Sequence, residues 1–225
     1  TLNNRNRHIS MLKKFRYIIA IISLIAATML FTDFTGTTSG YFGWLAKIQF
    51  VPALISLNLI ALAVIMVMTI IFGRIYCSVI CPMGIFQDAI SWIKRHIGPK
   101  NKRYNPYKYQ KAATITRISM LMLFAALFIT GFTHIVSASI AGLLDPYSGY
   151  GRISTAFFAP IWDWANNILA ERSAENASYT FYAISRQTST ILTVVASVTA
   201  LVVILFAWFT GRGYCNKICP VGTIL

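Results

Sequence analysis

Four stretches, residues 15–31, 52–72, 115–136 and 189–209, are apolar along their length and carry no charge at their centres. Each has about the 20 residues needed to cross a hydrocarbon layer of about 30 Å. In such a layer every backbone N–H and C=O must be satisfied internally, which leaves the helix as the only structure for an isolated crossing segment. With 56% hydrophobic and 12% charged residues and a mean hydropathy of +0.63, the chain is too apolar for an ordinary soluble domain. The expectation is an all-α membrane protein with four transmembrane helices. Arg117, near the start of the third stretch, is placed to snorkel to the interface. The first stretch follows basic residues as a signal peptide would, but Phe31-Thr32-Asp33-Phe34 is a poor cleavage site, so it reads as a retained helix.

The net charge of +14 is unevenly spread. Sixteen Lys and Arg fall in the amino-terminal segment, the connection between the second and third stretches with the flank of the third, and the carboxyl end, with Asp88 their only acid. The opposite side has Lys47, Arg152, Arg172 and Arg186 against Asp33, Asp145, Asp163, Glu171 and Glu175. This is the positive-inside distribution and predicts a multi-pass protein with both termini cytoplasmic. The basic surplus is thereby a topology signal, and no aromatic–basic module accompanies it to suggest nucleic acid.

The only cysteines stand in two copies of one phrase, Gly-Arg-x-Tyr-Cys-x-x-x-Cys-Pro, at 73–82 and 211–220. With Gly84 and Gly222 the copies share Gly, Arg, Tyr, Cys, Ile, Cys, Pro and Gly at matched positions. Each copy follows an apolar stretch on the cytoplasmic side, where thiols stay reduced, so a metal or redox role is favoured over a structural disulfide. The repeat extends further. Each half reads helix, outer loop, helix, phrase, and both outer loops contain Ser-Gly-Tyr (39–41 and 148–150), an upstream aspartate (Asp33, Asp145) and a following proline (Pro52, Pro160). The expected units are 1–110 (helices 15–31 and 52–72, cysteine motif 77–82, interfacial helix 83–95) and 111–225 (helices 115–136 and 189–209, outer loop 137–188, cysteine motif 215–220). Pointing the same way, the units would be related by a twofold axis along the membrane normal, which brings both phrases to one place.

On a helix, Cys-x-x-x-Cys puts two sulfurs on one face. Pro82 and Pro220 disfavour helical geometry in the residue before them, so Cys81 and Cys219 are expected at a break. Four thiolates in a low-dielectric setting repel unless a cation or cluster holds them. Cys77, Cys81, Cys215 and Cys219 suit a [4Fe–4S] cluster in the first place, then a [2Fe–2S] cluster, a single iron or structural zinc. Arg74, Arg212 and Lys217 would offset negative charge, and Tyr76 and Tyr214 are placed to pack over the site or anchor the interface. A membrane thiol–disulfide carrier and a structural anchor for redox subunits are the competing readings. No residue set suggests hydrolysis or phosphate chemistry, and an electron-transfer component is favoured over a stand-alone catalyst.

The doubled phrase, each copy following the second helix of a hairpin, resembles the membrane part of NapH- and NosR-type proteins, which are polyferredoxin-like, 4Fe-4S-binding proteins of bacterial cytoplasmic membranes. The resemblance covers nearly the whole chain. It implies electron transfer between a quinone or quinol, cytoplasmic iron–sulphur centres and a periplasmic redox partner. Members usually continue into a cytoplasmic ferredoxin domain, so the resemblance implies a ferredoxin-like domain or subunit as electron partner. The flavin-binding outer domain of NosR-type members has no counterpart in these residues, and a flavin role is not carried over.

Other residues have plainer readings. His134, at the outer end of the third helix, is a candidate for quinone binding but reads first as an interfacial hydrogen-bonding group. Asp33 and Asp145 read as turn formers before proton acceptors. Residues 157–169 read as an aromatic-rich amphipathic anchor at the outer interface, and 185–200 as a Ser/Thr-rich packing face. Residues 100–111 read as a basic, lipid-facing loop, and Asn176-Ala177-Ser178 as a sequon of the kind that arises by chance.

Overall fold

A computed structural model describes residues 2–33, 36–72, 76–97, 113–131, 133–175, 182–187 and 189–224. Among these residues there is no strand. Three helices are long and apolar enough to cross a membrane, through Lys14–Thr32, Thr114–Gly131 and Thr190–Thr210. They belong to α1 (Leu2–Thr32), α6 (Thr114–Gly131) and α10 (Thr190–Thr210). The basic loop at 100–111, the sequon at 176–178 and the glycine and arginine of the first phrase, Gly73 and Arg74, lie outside the described residues.

The stretch expected as one helix over 52–72 is divided. After α2 (Thr37–Lys47) come a short α3 (Phe50–Ile55) and then α4 (Leu59–Phe72). Leu57 between them takes a left-handed φ of 51°, and Asn58 closes the joint: its N–H donates to Ala53 O at 2.9 Å and its Oδ1 accepts from Ala61 N at 3.1 Å. An asparagine that satisfies backbone groups locally competes with helix continuation, and here it starts a new helix. At 1.5 Å per residue, the 14 residues of α4 reach only about 21 Å.

A larger difference concerns the stretch expected as the second outer loop. The third helix stops at Gly131, short of 136, and α7 (Ile135–Leu144) packs back along α6. Asp145 then caps α8 (Pro146–Ile153), accepting from Ser148 N at 2.9 Å and Tyr147 N at 3.3 Å. Pro146 at the first helical position sacrifices no hydrogen bond there. α8 packs against α10 and α5 (Pro82–Ile97). Its Tyr150 is 2% exposed, with its hydroxyl 2.6 Å from Thr28 Oγ1 and its ring edge-on to Phe86. The matched Tyr41 in α2 is 79% exposed, so the two Ser-Gly-Tyr triplets have different fates. A π-helical turn (Ser154–Phe158) leads into α9 (Ala159–Glu175), where Ile161, Trp162 and Trp164 are exposed while Asp163 is buried against Arg186 at 3.1 Å. Residues 185–187 have no regular structure and α10 begins at Thr190, burying Ala196, Ala200, Val203 and Ala207 on its packed side.

Candidate metal centre

Both cysteine phrases fold by the same local rules. In the first, a π-helical turn (Tyr76–Ile80) ends with Cys81 N donating to Tyr76 O at 2.9 Å. In the second, after α11 (Gly213–Lys217), Cys219 N donates to Tyr214 O at 3.0 Å. These are i to i−5 bonds, one residue wider than the α-helical bond, so the i, i+4 geometry expected from Cys-x-x-x-Cys is opened by a π-type closure. The prolines explain why the helix cannot simply continue. Pro82 opens α5 and Pro220 precedes α12 (Val221–Ile224).

The chain then folds back over each phrase. A Cβ on Gly84 would lie 2.0 Å from Cys77 O, and one on Gly222 would lie 2.3 Å from Cys215 O. Those contacts leave no room for any side chain, which is why the matched glycines follow each second cysteine. Gly222 N also donates to Cys219 Sγ at 3.4 Å, and the backbone of Gly84 donates to Cys81 in the same sense.

Cys77, Cys81, Cys215 and Cys219 all lie in one buried core cluster with Tyr76 and Tyr214. None exceeds 6% exposure, and none is in a disulfide. The first phrase is also drawn inward. Ser23, in the middle of the apolar part of α1, donates to Ile80 O at 3.4 Å, and Gln49 Nε2 reaches the same oxygen at 3.4 Å. Tyr76 Oη donates to Gln49 Oε1 and accepts from Phe50 N, both at 2.9 Å. Arg117 Nη2 holds Gly222 O at 3.1 Å, tying α6 to the second phrase rather than snorkelling away from it.

Burial pushes the thiols of Cys81 and Cys219 well above the ordinary range, and neighbouring sulfurs push them further; Cys215 is raised to about 12 by burial first and Cys77 second. Thiolates gathered here therefore need a positive partner. Arg212 does not supply a free charge, since its Nε donates to Asp88 Oδ1 at 2.7 Å and its Nη2 pairs with Asp88 Oδ2. An iron–sulphur cluster meets the need, and it fits the observed donors: four buried sulfurs, two of them receiving backbone N–H groups at matched glycines. Among the described residues no three His, Cys, Asp or Glu side chains are arranged to hold one metal ion. Cys77, Cys81, Cys215 and Cys219 are the residues that would hold the cluster, which would supply one-electron chemistry there.

Several residues of the site were not marked by motif. Gln49 and Gln87 are both 0% exposed. Gln87 belongs to a stripe with Met83 and Ser91 at four-residue spacing, a signal readable as a second, polar-edged face of α5. That face is buried, where α5 packs against α10 and α8, while Trp92, Ile93 and Ile97 remain exposed. Asp145 caps a turn as expected, yet it also stands near enough to Tyr76 and Tyr214 to raise both phenols. It lines a cavity of about 450 Å³ together with Phe31, Val51, Phe124, Phe128 and Ser148. His134 is exposed and does not line that cavity. Asp33 accepts from Thr38 N at 2.7 Å, shaping the turn into α2.

Burial lifts the Asp145 carboxyl from 3.8 to about 6, against the opposing pull of the Ser148 and Tyr147 N–H groups and Arg152. A carboxyl that keeps its proton longer when folded stabilises the fold at low pH, and that stabilisation is lost as pH rises from about 4 through about 6. A shift of this size corresponds to about 3 kcal/mol. Thermal unfolding in detergent between pH 4.5 and 7.5 should show this decline, and Asp145→Asn, which retains a capping oxygen, should flatten it. An unchanged slope in the variant would dismiss Asp145 as its source. The charged and titratable groups around it are Arg152, Tyr147, Tyr76 and Tyr214.

The chain matches the family model of a 4Fe-4S binding domain over residues 55–100 and 192–225, and each matched segment contains one cysteine phrase. No curated protein and no solved structure shows significant similarity. The match supports an iron–sulphur protein and a [4Fe–4S] cluster as its cofactor.

Proposed function

We propose that this chain is a membrane electron-transfer protein of the NapH/NosR type, in which Cys77, Cys81, Cys215 and Cys219 together hold one [4Fe–4S] cluster. The observation that carries the reading is the gathering of all four sulfurs, from phrases more than a hundred residues apart, into one buried cluster. Two tandem hairpin units cross the bacterial cytoplasmic membrane, with the α3–α4 pair as the fourth crossing and both termini on the basic, cytoplasmic side. When bound, the cluster supplies one-electron storage. The residues of the chain keep water away, neutralise sulfur charge through N–H donors and hold the two phrases together.

The cavity beside Asp145 suits a lipid-soluble quinol, with apolar walls for its ring or tail and a carboxylate for its hydroxyl. Oxidation to the quinone releases two electrons and two protons. The four cysteines would hold the cluster, which would supply one-electron relay toward a ferredoxin-like domain or subunit, or toward a periplasmic redox partner. Asp145 is placed to take one proton and water the other.

Anaerobic purification followed by iron and sulfide analysis and EPR tests the reading. About four irons and four sulfides per chain are expected for a [4Fe–4S] centre. Iron-free protein whose cysteine alkylation changes on oxidation would instead establish a thiol–disulfide carrier. Redox-silent protein containing zinc would establish a structural anchor.

A further inference from the structure

We propose that Gln87 sets the reduction potential of the cluster by donating an amide hydrogen to the sulfur of Cys215. The inference rests on the iron–sulphur reading and extends it to a residue outside both phrases. Gln87 is completely buried, with Nε2 3.1 Å from Cys215 Sγ and 3.4 Å from Met83 O. Those two acceptors fix which way the amide faces, because reversing it would set the side-chain oxygen against a carbonyl and a thiolate together. The other end of the amide is informative as well. Its Oε1 is buried without a hydrogen-bond partner among the described residues. An orphaned buried acceptor destabilises a fold, so packing alone would favour a leucine or methionine at this position. A local rule broken at a buried position is the expected mark of a functional group.

The placement of Gln87 is over-determined by its helix. On α5, Ser91 Oγ donates to Ala207 O at 3.2 Å, Asp88 pairs with Arg212, and Lys94 Nζ donates to Trp208 O. These contacts clamp α5, from the first half of the chain, onto the end of α10 and the start of the second phrase. The backbone donors at Gly84 and Gly222 serve the second cysteine of each phrase alike. Gln87 breaks that symmetry: it lies six residues after Cys81, where the second copy has Leu225 six residues after Cys219. Leucine has no side-chain N–H, so the donor that Gln87 gives Cys215 has no equivalent at the matched sequence position.

Reduction adds one negative charge, shared between the cluster and its sulfur ligands. A donor aimed at one of those sulfurs stabilises the reduced state more than the oxidised state and so raises the potential. Burial strengthens the effect by lowering the local dielectric.

The test uses the full chain purified anaerobically, with Gln87→Met and Gln87→Leu as apolar variants of different shape. Iron and sulfide are measured first. An EPR-monitored titration follows, in which dithionite donates each electron and ferricyanide takes it back. The expected result is unchanged iron in the variants and a ratio of reduced to oxidised cluster about tenfold lower at a fixed ambient potential, equivalent to about 59 mV downward for a one-electron couple. An unshifted potential in an iron-replete variant would overturn the proposal. So would loss of iron from both variants while the unsubstituted chain keeps it, since that makes Gln87 structural. If only one variant keeps iron, its potential decides. An unsubstituted chain without iron defeats the iron–sulphur reading itself, and this inference with it.

Discussion

Gly84→Ala and Gly222→Ala should each destabilise the chain by about 4 kcal/mol or more and abolish its iron binding. The added methyl would stand 2.0 Å from Cys77 O in one case and 2.3 Å from Cys215 O in the other. Both neighbours are backbone atoms of the phrase itself, so relief requires moving the segment that carries the cysteines. The contrast is with Gly43→Ala in α2, where a Cβ meets nothing within 4 Å. There, replacing a helical glycine should stabilise by about 0.5–1 kcal/mol and leave iron unchanged. Iron analysis and thermal unfolding of the three variants, side by side, check the argument. Full iron content in Gly84→Ala would mean that the fold-back over the first phrase is dispensable.

Replacing any one of Cys77, Cys81, Cys215 or Cys219 by serine should have nearly the same large effect, lowering bound iron by about tenfold or more in anaerobically purified protein. The equality across the four matters more than the size. A cluster held jointly by both phrases loses a corner whichever cysteine is removed, and an incomplete cluster exposed to exchange is readily lost. Two independent sites would behave otherwise, because Cys77→Ser would spare the metal held at Cys215 and Cys219. A double variant, Cys77→Ser with Cys215→Ser, should bind no less than either single variant beyond error. Iron falling in two additive halves would replace the joint site by two separate ones.

Where local chemistry governs, the amino-acid sequence alone is legible. Apolar runs without central charges form the span Lys14–Thr32 of α1 and the whole of α10 within a residue or two of their expected bounds, and α6 up to Gly131, five residues short. The prolines after Cys81 and Cys219 mark breaks because their missing N–H acts within one helical turn. The matched glycines stand out by repetition, although their purpose emerges only from the contacts with Cys77 O and Cys215 O. Less legible is the split at Ser56–Asn58, where one asparagine's hydrogen bonds outweigh a long apolar run on either side.

By itself, then, the sequence determined a helical chain with apolar segments and two equivalent dithiol phrases, since hydropathy, proline geometry and spacing act over a few residues. Tertiary structure alone decided that the four sulfurs share one core, that Tyr150 enters the bundle while Tyr41 stays exposed, and that Gln87 meets Cys215. Those outcomes depend on which helix faces pack together. Two identical triplets, or two similar apolar faces, have the same local energetics until their neighbours differ, and the neighbours lie up to a hundred residues or more away along the chain.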